Sequence, residues 1–250
     1  MPTAKVGSTQ VYFQLGGRGQ ALVFVHGSGA DHTLWKYQHQ VLESSYSVAS
    51  LDLNGHGKSP RREGDGLMTY TQDALSVMEA LNEPVFLLGH SLGGAIVLNV
   101  ALQKPANLQA VGLVGTGAKL RVNPQILSTI ATDFEEAVSV LLEWEFSPGA
   151  PMALRVWRRE QMLRIGQTAL QRDFTTCDAF SAMECLSEID VPALVVCGGD
   201  DKLTPVKYSQ YLKDQLRRAR LEIIEGAGHD VMLEQPEALN RVIRGFLEEL

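Results

Sequence analysis

Three residues far apart along the chain have the types and settings needed to open an acyl bond: Ser91, His229 and an aspartate at 200 or 201. Ser91 sits at the centre of Gly89-His90-Ser91-Leu92-Gly93, directly after the apolar run Val85–Leu88 and directly before a helical segment, Leu92–Gln103. A serine on so sharp a strand-to-helix turn is forced into strained backbone angles, and glycines two before and two after relieve the crowding. Its hydroxyl then projects over a helix N-terminus, whose positive end favours developing negative charge.

A serine hydroxyl needs a base to take its proton. Of six histidines, His229 follows the last strand-like run in Glu225-Gly226-Ala227-Gly228-His229, where glycines leave room for an imidazole to turn inward. The base in turn needs an acid to fix its tautomer, and on chemistry alone either Asp200 or Asp201 serves, after the run Ala193–Cys197. Two backbone N–H groups must meet the oxyanion. Leu92 N–H is one, and the loop His26-Gly27-Ser28-Gly29 supplies the other, from Ser28, with Gly29 as the nearby alternative.

These residues call for strands that end together. Apolar runs without polar alternation occur at Ala21–Gly27, Ser47–Gly55, Pro84–Gly89, Ala110–Gly115, Ala193–Gly199 and Leu221–Gly226, the pattern of a sheet covered on both faces. Val11–Leu15 reads as an additional, antiparallel strand. Between the runs lie helical faces such as Tyr70, Ala74, Val77, Met78 and Leu81, and Leu239, Val242, Ile243, Phe246 and Leu247. The alternation predicts an α/β fold, doubly wound around a mostly parallel sheet of about seven to eight strands.

The rhythm breaks once. Residues 120–189 show short helices punctuated by prolines and glycines, rich in aromatic residues and methionine. We read residues 1–119 and 190–250 as one core and 120–189 as a helical insertion between two late strands, within a single domain. Its aromatics either line a cavity over the sheet or hold the insertion's helices together. Trp35 has the same two readings, pocket wall or packing residue.

In this order the motifs resemble the α/β-hydrolase superfamily, in the branch of small cap-bearing esterases, lactonases and cofactor-free haloperoxidases. The resemblance rests on HGSG (His26–Gly29), DLNGHGKS (Asp52–Ser59), GHSLGG (Gly89–Gly94) and the pair GGDDKLTP and GHDVMLEQP, and it spans nearly the whole chain. It implies chain order Ser, Asp, His. It selects Asp201 over Asp200 through the G-x-x-D-x-x-x-P register of Gly198, Asp201 and Pro205, carries the base onto His229, and makes residues 120–189 a cap. It also implies a carboxylesterase-like serine hydrolase acting on an ester, thioester or lactone. Carbon–carbon hydrolysis, perhydrolysis and acyl transfer use the same triad, and a ligand-binding member of the fold is the remaining alternative.

Composition narrows the partners. The 250 residues carry 22 Lys+Arg against 29 Asp+Glu, a net charge of −7, with no long basic run, so nucleic acid and membrane are not expected as partners; a small-molecule acyl substrate is what the resemblance implies. Gly57-Lys58-Ser59 is not a phosphate loop, because the required upstream glycine is Asp52. No dinucleotide or metal signature is present, and no cofactor is expected. Cys177, Cys185 and Cys197 match neither a CxxC pair nor a disulfide framework. With no signal-peptide core or membrane-length apolar run, a cytoplasmic location is the expectation.

Overall fold

The computed structural model describes residues 2–250. Eight strands, β1 (Thr3–Val6), β2 (Thr9–Gly17), β3 (Ala21–Val25), β4 (Ser47–Leu51), β5 (Val85–His90), β6 (Leu108–Val114), β7 (Ala193–Gly198) and β8 (Ala219–Ile224), form one sheet. Its order is β1-β2-β4-β3-β5-β6-β7-β8, with β1 and β2 antiparallel and all other pairs parallel. The chain reverses its direction of travel across the sheet between β3 and β5. Ligands in open parallel sheets bind at that switch point, outside the carboxyl ends of the strands.

The helices are α1 (Lys36–Leu42), α2 (Leu67–Leu81), α3 (Leu92–Leu102), α4 (Pro124–Thr132), α5 (Phe134–Glu145), α6 (Met152–Ile165), α7 (Gln167–Ala179), α8 (Val206–Gln215), α9 (Val231–Glu234) and α10 (Pro236–Leu247). Period-two alternation sorts the central strands into two cores. Ala21, Val23 and Val25 of β3 join Ala74 and Val77 of α2 and Ala95 and Val97 of α3. Leu22 and Phe24 join Leu42 of α1 and Leu239 and Ile243 of α10 on the other face. Trp35 is fully buried and stacks on Phe24 at 4.9 Å between ring centroids, so it is a packing residue.

Helices α4–α7 lie between β6 and β7. Asn123 caps α4 through Gln125 N–H, with Pro124 in the first turn, and Asp133 caps α5 through Glu136 N–H. Gly166, at φ +89°, turns the chain between α6 and α7. Strand β1 lies beyond the strand at Val11–Leu15 that the sequence suggests; its four residues alternate exposed and buried, and it pairs along β2 as a hairpin edge. Among the described residues no helix is long and apolar enough to cross a membrane.

Candidate active site

Strand ends converge as the parallel register demands. Val25 of β3 pairs with Gly89 of β5, so the loop carrying Ser28 and the turn carrying Ser91 leave the sheet side by side. On the other side, β7 and β8 are neighbours, and Asp201 and His229 follow them.

Ser91 adopts φ 53° and ψ −115°, a strained conformation for a residue with a Cβ. Two glycines make the turn possible by space alone. A Cβ at Gly89 would lie 2.1 Å from Gly93 O, and one at Gly93 would lie 2.4 Å from Val25 O. Both obstacles are backbone and cannot swing away. Gly93→Ala is therefore expected to destabilise the protein by about 2 kcal/mol or more, seen as a lower midpoint in urea unfolding; an unchanged midpoint would remove the packing argument for this glycine.

Asp201 is held and directed by its own loop. Its Oδ1 accepts the N–H groups of Leu203 and Thr204, both at 2.8 Å, and its Oδ2 accepts the Thr204 hydroxyl at 2.8 Å. The remaining direction of Oδ2 is taken by His229 Nδ1 at 2.8 Å. Burial works against a charged imidazole, but the adjacent Asp201 carboxylate prevails and raises His229 to about 9; reciprocally, Asp201 is held below its usual range despite burial, through His229 and the loop donors.

Ser91 and His229 line one cavity of about 190 Å³, with Ser28 and the aromatic and aliphatic side chains of Trp144, Phe174 and Leu141. None of the hydrogen bonds among the described residues joins the Ser91 hydroxyl to the imidazole, a contact that often tightens only with substrate present. His90, which precedes Ser91, is buried; burial first and then the neighbouring His229 keep it neutral, with Nε2–H donating to His229 O at 3.1 Å. The residue before the nucleophile thus braces the histidine loop. Ser91 O itself accepts the Thr116 hydroxyl at 2.8 Å. A larger groove of about 860 Å³ runs along α7, but neither Ser91 nor His229 lines it.

Of the two oxyanion candidates in HGSG, Gly29 is already committed: its N–H donates to Asp173 Oδ2 at 2.9 Å. Ser28 borders the cavity, as does Leu92's neighbour Ser91, and Leu92 N–H belongs to the first turn of α3, where no intrahelical acceptor exists.

Several buried groups around the site lack a motif. Arg158, Glu145 and Asp230 form a cluster in which Arg158 Nη2 meets Glu145 Oε1 at 3.2 Å and Nε meets Asp230 Oδ2 at 3.3 Å. With two carboxyls around one guanidinium, burial pushes Glu145 up to about 8. Asp173 of α7 accepts from His56 at 2.9 Å and from the Tyr70 hydroxyl at 2.6 Å, which makes the His56 turn a strut to the inserted helices. Cys177 Sγ lies 3.7 Å from Ser28 Oγ on the cavity wall. Asp31, His32 and Asp52 stand close enough to share a metal ion. Their atoms are already spent on one another and on Thr33, Lys58 and Gln161.

The family model for the alpha/beta hydrolase family matches residues 22–242. The (E)-2-((N-methylformamido)methylene)succinate hydrolase of Acinetobacter baylyi is 28% identical over 251 residues, covering 96% of this chain and 94% of that one. The 3-oxoadipate enol-lactonase 1 of the same species is 25% identical, over 92% of this chain and 89% of its own. Among solved structures, a thermophilic esterase superposes with a TM-score of 0.90 at 31% identity, over 99% of this chain and 97% of that one. The sheet order, the strained serine turn and these likenesses agree, and the chain belongs to the alpha/beta hydrolase family.

Proposed function

We propose that this chain is a serine hydrolase that cleaves a small carboxylic ester, thioester or lactone through an acyl-enzyme. Ser91 Oγ attacks the carbonyl carbon while His229 takes its proton; Asp201 holds the imidazole in the tautomer that can accept. The oxyanion rests on Ser28 N–H and Leu92 N–H. The carbon–oxygen or carbon–sulfur bond to the leaving group then breaks, and His229 returns the proton to that group. Water, deprotonated by His229, repeats the sequence on the acyl-enzyme and frees the acid.

The observation that carries this reading is the Asp201–His229 pair at 2.8 Å, opening onto the same cavity as a serine on a strained turn. The insertion at residues 120–189 acts as the cap that closes the cavity. At about 190 Å³ the cavity is below the range of roughly 300–1,000 Å³ found for drug-sized ligands. A p-nitrophenyl ester series from acetate to decanoate is therefore expected to peak at acetate to butyrate, with a fluorophosphonate labelling the protein. Equal rates along the series would set aside the small-acyl reading, and a folded protein that neither labels nor turns over would favour ligand binding.

Arg121 and Lys202 also line the cavity, which favours a substrate bearing a negative charge. Relatives named for an oxoadipate enol-lactone and for a substituted succinate agree with that chemistry. Removing both cations is expected to cost a succinate monoester up to about fivefold in kcat/KM relative to a neutral butyrate ester.

A further inference from the structure

The peptide unit that joins Ser28 to Gly29 is gripped at both polar ends by charged side chains of the inserted helices. Its carbonyl, Ser28 O, accepts from Arg158 Nη2 at 2.9 Å. Its N–H, on Gly29, donates to Asp173 Oδ2 at 2.9 Å. Arg158 reaches further, to Gly29 O through Nη1 at 2.7 Å. The two side chains come from different helices, α6 and α7, and are 1% and 0% exposed.

Neither grip is loose. Gln161 Oε1 accepts from Arg158 Nη1 at 3.0 Å, and the pairs with Glu145 and Asp230 fix the rest of the guanidinium. Asp173 is fixed by His56 and Tyr70, and Tyr70 by Arg172 Nε at 2.7 Å. On the preceding side the loop is wedged by space: a Cβ on Gly27 would lie 2.7 Å from His90 Nδ1 and 3.2 Å from Ser91 Cβ. Ser28 is thus the one residue between a wedged glycine and a clamped peptide. Burying a guanidinium and a carboxylate is costly unless each is paired, and here part of that pairing goes to one backbone turn.

We propose that Arg158 and Asp173 are positioning residues that aim the Ser28 N–H into the cavity. The proposal rests on the reading of Ser28 as an oxyanion donor and names what orients it. The inserted helices then complete the machinery as well as cover it, since displacing α6 and α7 releases the peptide that directly follows the donor and fixes the orientation of Ser28. The histidine loop is tied to them likewise: His229 N–H donates to Glu145 O at 2.6 Å, and Glu234 accepts from both Gly228 N–H and Ser147 N–H.

Buttressing alone would lower thermal stability and leave the chemistry of the folded fraction intact. Aiming a donor affects the tetrahedral state selectively. The test compares Arg158→Lys, Asp173→Ala and Asp173→Asn with Arg159→Ala, whose side chain pairs with Glu135 on the surface. Lysine keeps the charge but presents a compact ammonium in place of the planar fork that reaches both carbonyls. With p-nitrophenyl butyrate, Arg158→Lys and Asp173→Ala are expected to lose about 100-fold in kcat with KM within about twofold. Affinity for phenylboronic acid, which forms a tetrahedral adduct on the serine, should fall by a similar factor while affinity for the product butyrate stays unchanged. Asp173→Asn keeps an acceptor for Gly29 N–H and should recover most of the loss, and Arg159→Ala should match wild type.

Folded Arg158→Lys and Asp173→Ala proteins with wild-type kcat overturn the proposal, as does equal weakening of boronate and butyrate. If Asp173→Ala does not fold, Arg158→Lys decides by the same readings. Amide hydrogen exchange at Gly29 reports separately from activity: faster exchange confined to this loop in Arg158→Lys supports the clamp, and unchanged protection counts against it. A wild type that turns over no ester and binds no boronate refutes the hydrolase reading instead, and leaves the exchange result standing.

Discussion

Ser91→Ala is expected to abolish turnover, a loss of about 10⁶-fold in kcat, while leaving the protein as stable as before. The stability half of that expectation comes from the turn itself. Alanine keeps the Cβ, so the strain at φ 53° is unchanged, and the Ser91 carbonyl keeps its bond from Thr116. The lost hydroxyl makes no hydrogen bond within the protein among the described residues, so the urea midpoint should shift by less than the equivalent of about 0.5 kcal/mol. Ser91→Gly should be as inactive but more stable than Ser91→Ala by about 1 kcal/mol, because glycine relieves the left-handed strain. The pair of variants separates the two roles of the position. Fluorophosphonate labelling that survives in Ser91→Ala, or a loss in kcat below about 100-fold, would move the nucleophile elsewhere.

Much of the framework is legible in the sequence because it is written in local chemistry. Unbroken apolar runs such as Ala21–Val25 and Val85–Leu88 are buried on both faces and lie in the centre of the sheet. Gly89 and Gly93 stand where a Cβ would strike backbone, so their spacing around Ser91 marks the turn without any knowledge of the fold. Strand β1 escapes that reading because four alternating residues at a sheet edge need little hydrophobicity. Ser28 is preferred to Gly29 from the sequence, but the contact that sets the two apart escapes it for a different reason. It depends on Asp173, 144 positions further along, accepting the Gly29 N–H.

Arg158 and Glu145 illustrate the limit most sharply. Charged residues on helices of ordinary amphipathic spacing normally face water, and nothing in their neighbours along the chain distinguishes these two from Arg159 or Glu143. Their burial is a property of how α5 and α6 settle over the sheet. The one available signal is partial: Asp230 directly follows His229, and a carboxylate forced into the core with the histidine loop requires a cation from elsewhere. Cys177 is comparable, an ordinary helix residue until α7 is docked against Ser28.

Asp201→Asn is expected to lower kcat by about 10⁴-fold, and the loop predicts how. Leu203 N–H and Thr204 N–H both point at Oδ1, so an asparagine must keep its oxygen there and turn its amide NH2 toward His229. Nδ1 then has to accept, the ring proton moves to Nε2, and the imidazole faces Ser91 with a proton in place of a lone pair. The carboxylate's loss also alters pH behaviour. In the wild type the imidazole is raised to about 9, so kcat/KM should fall on the acid side of a limb lying above the ordinary 6.5, and the residual activity of Asp201→Asn should titrate lower. Stability runs the other way. A histidine raised on folding contributes fully below its unfolded value near 6.5 and loses that contribution as pH climbs through about 9. Asp201, depressed on folding, contributes above the usual carboxylate range and loses that contribution as pH falls through its folded value. The wild type's advantage in Tm over Asp201→Asn should therefore be greatest between about pH 5 and 6.5 and shrink toward pH 9. An advantage that grows from pH 7 to 9 would show that Asp201 does not raise the imidazole in the folded protein.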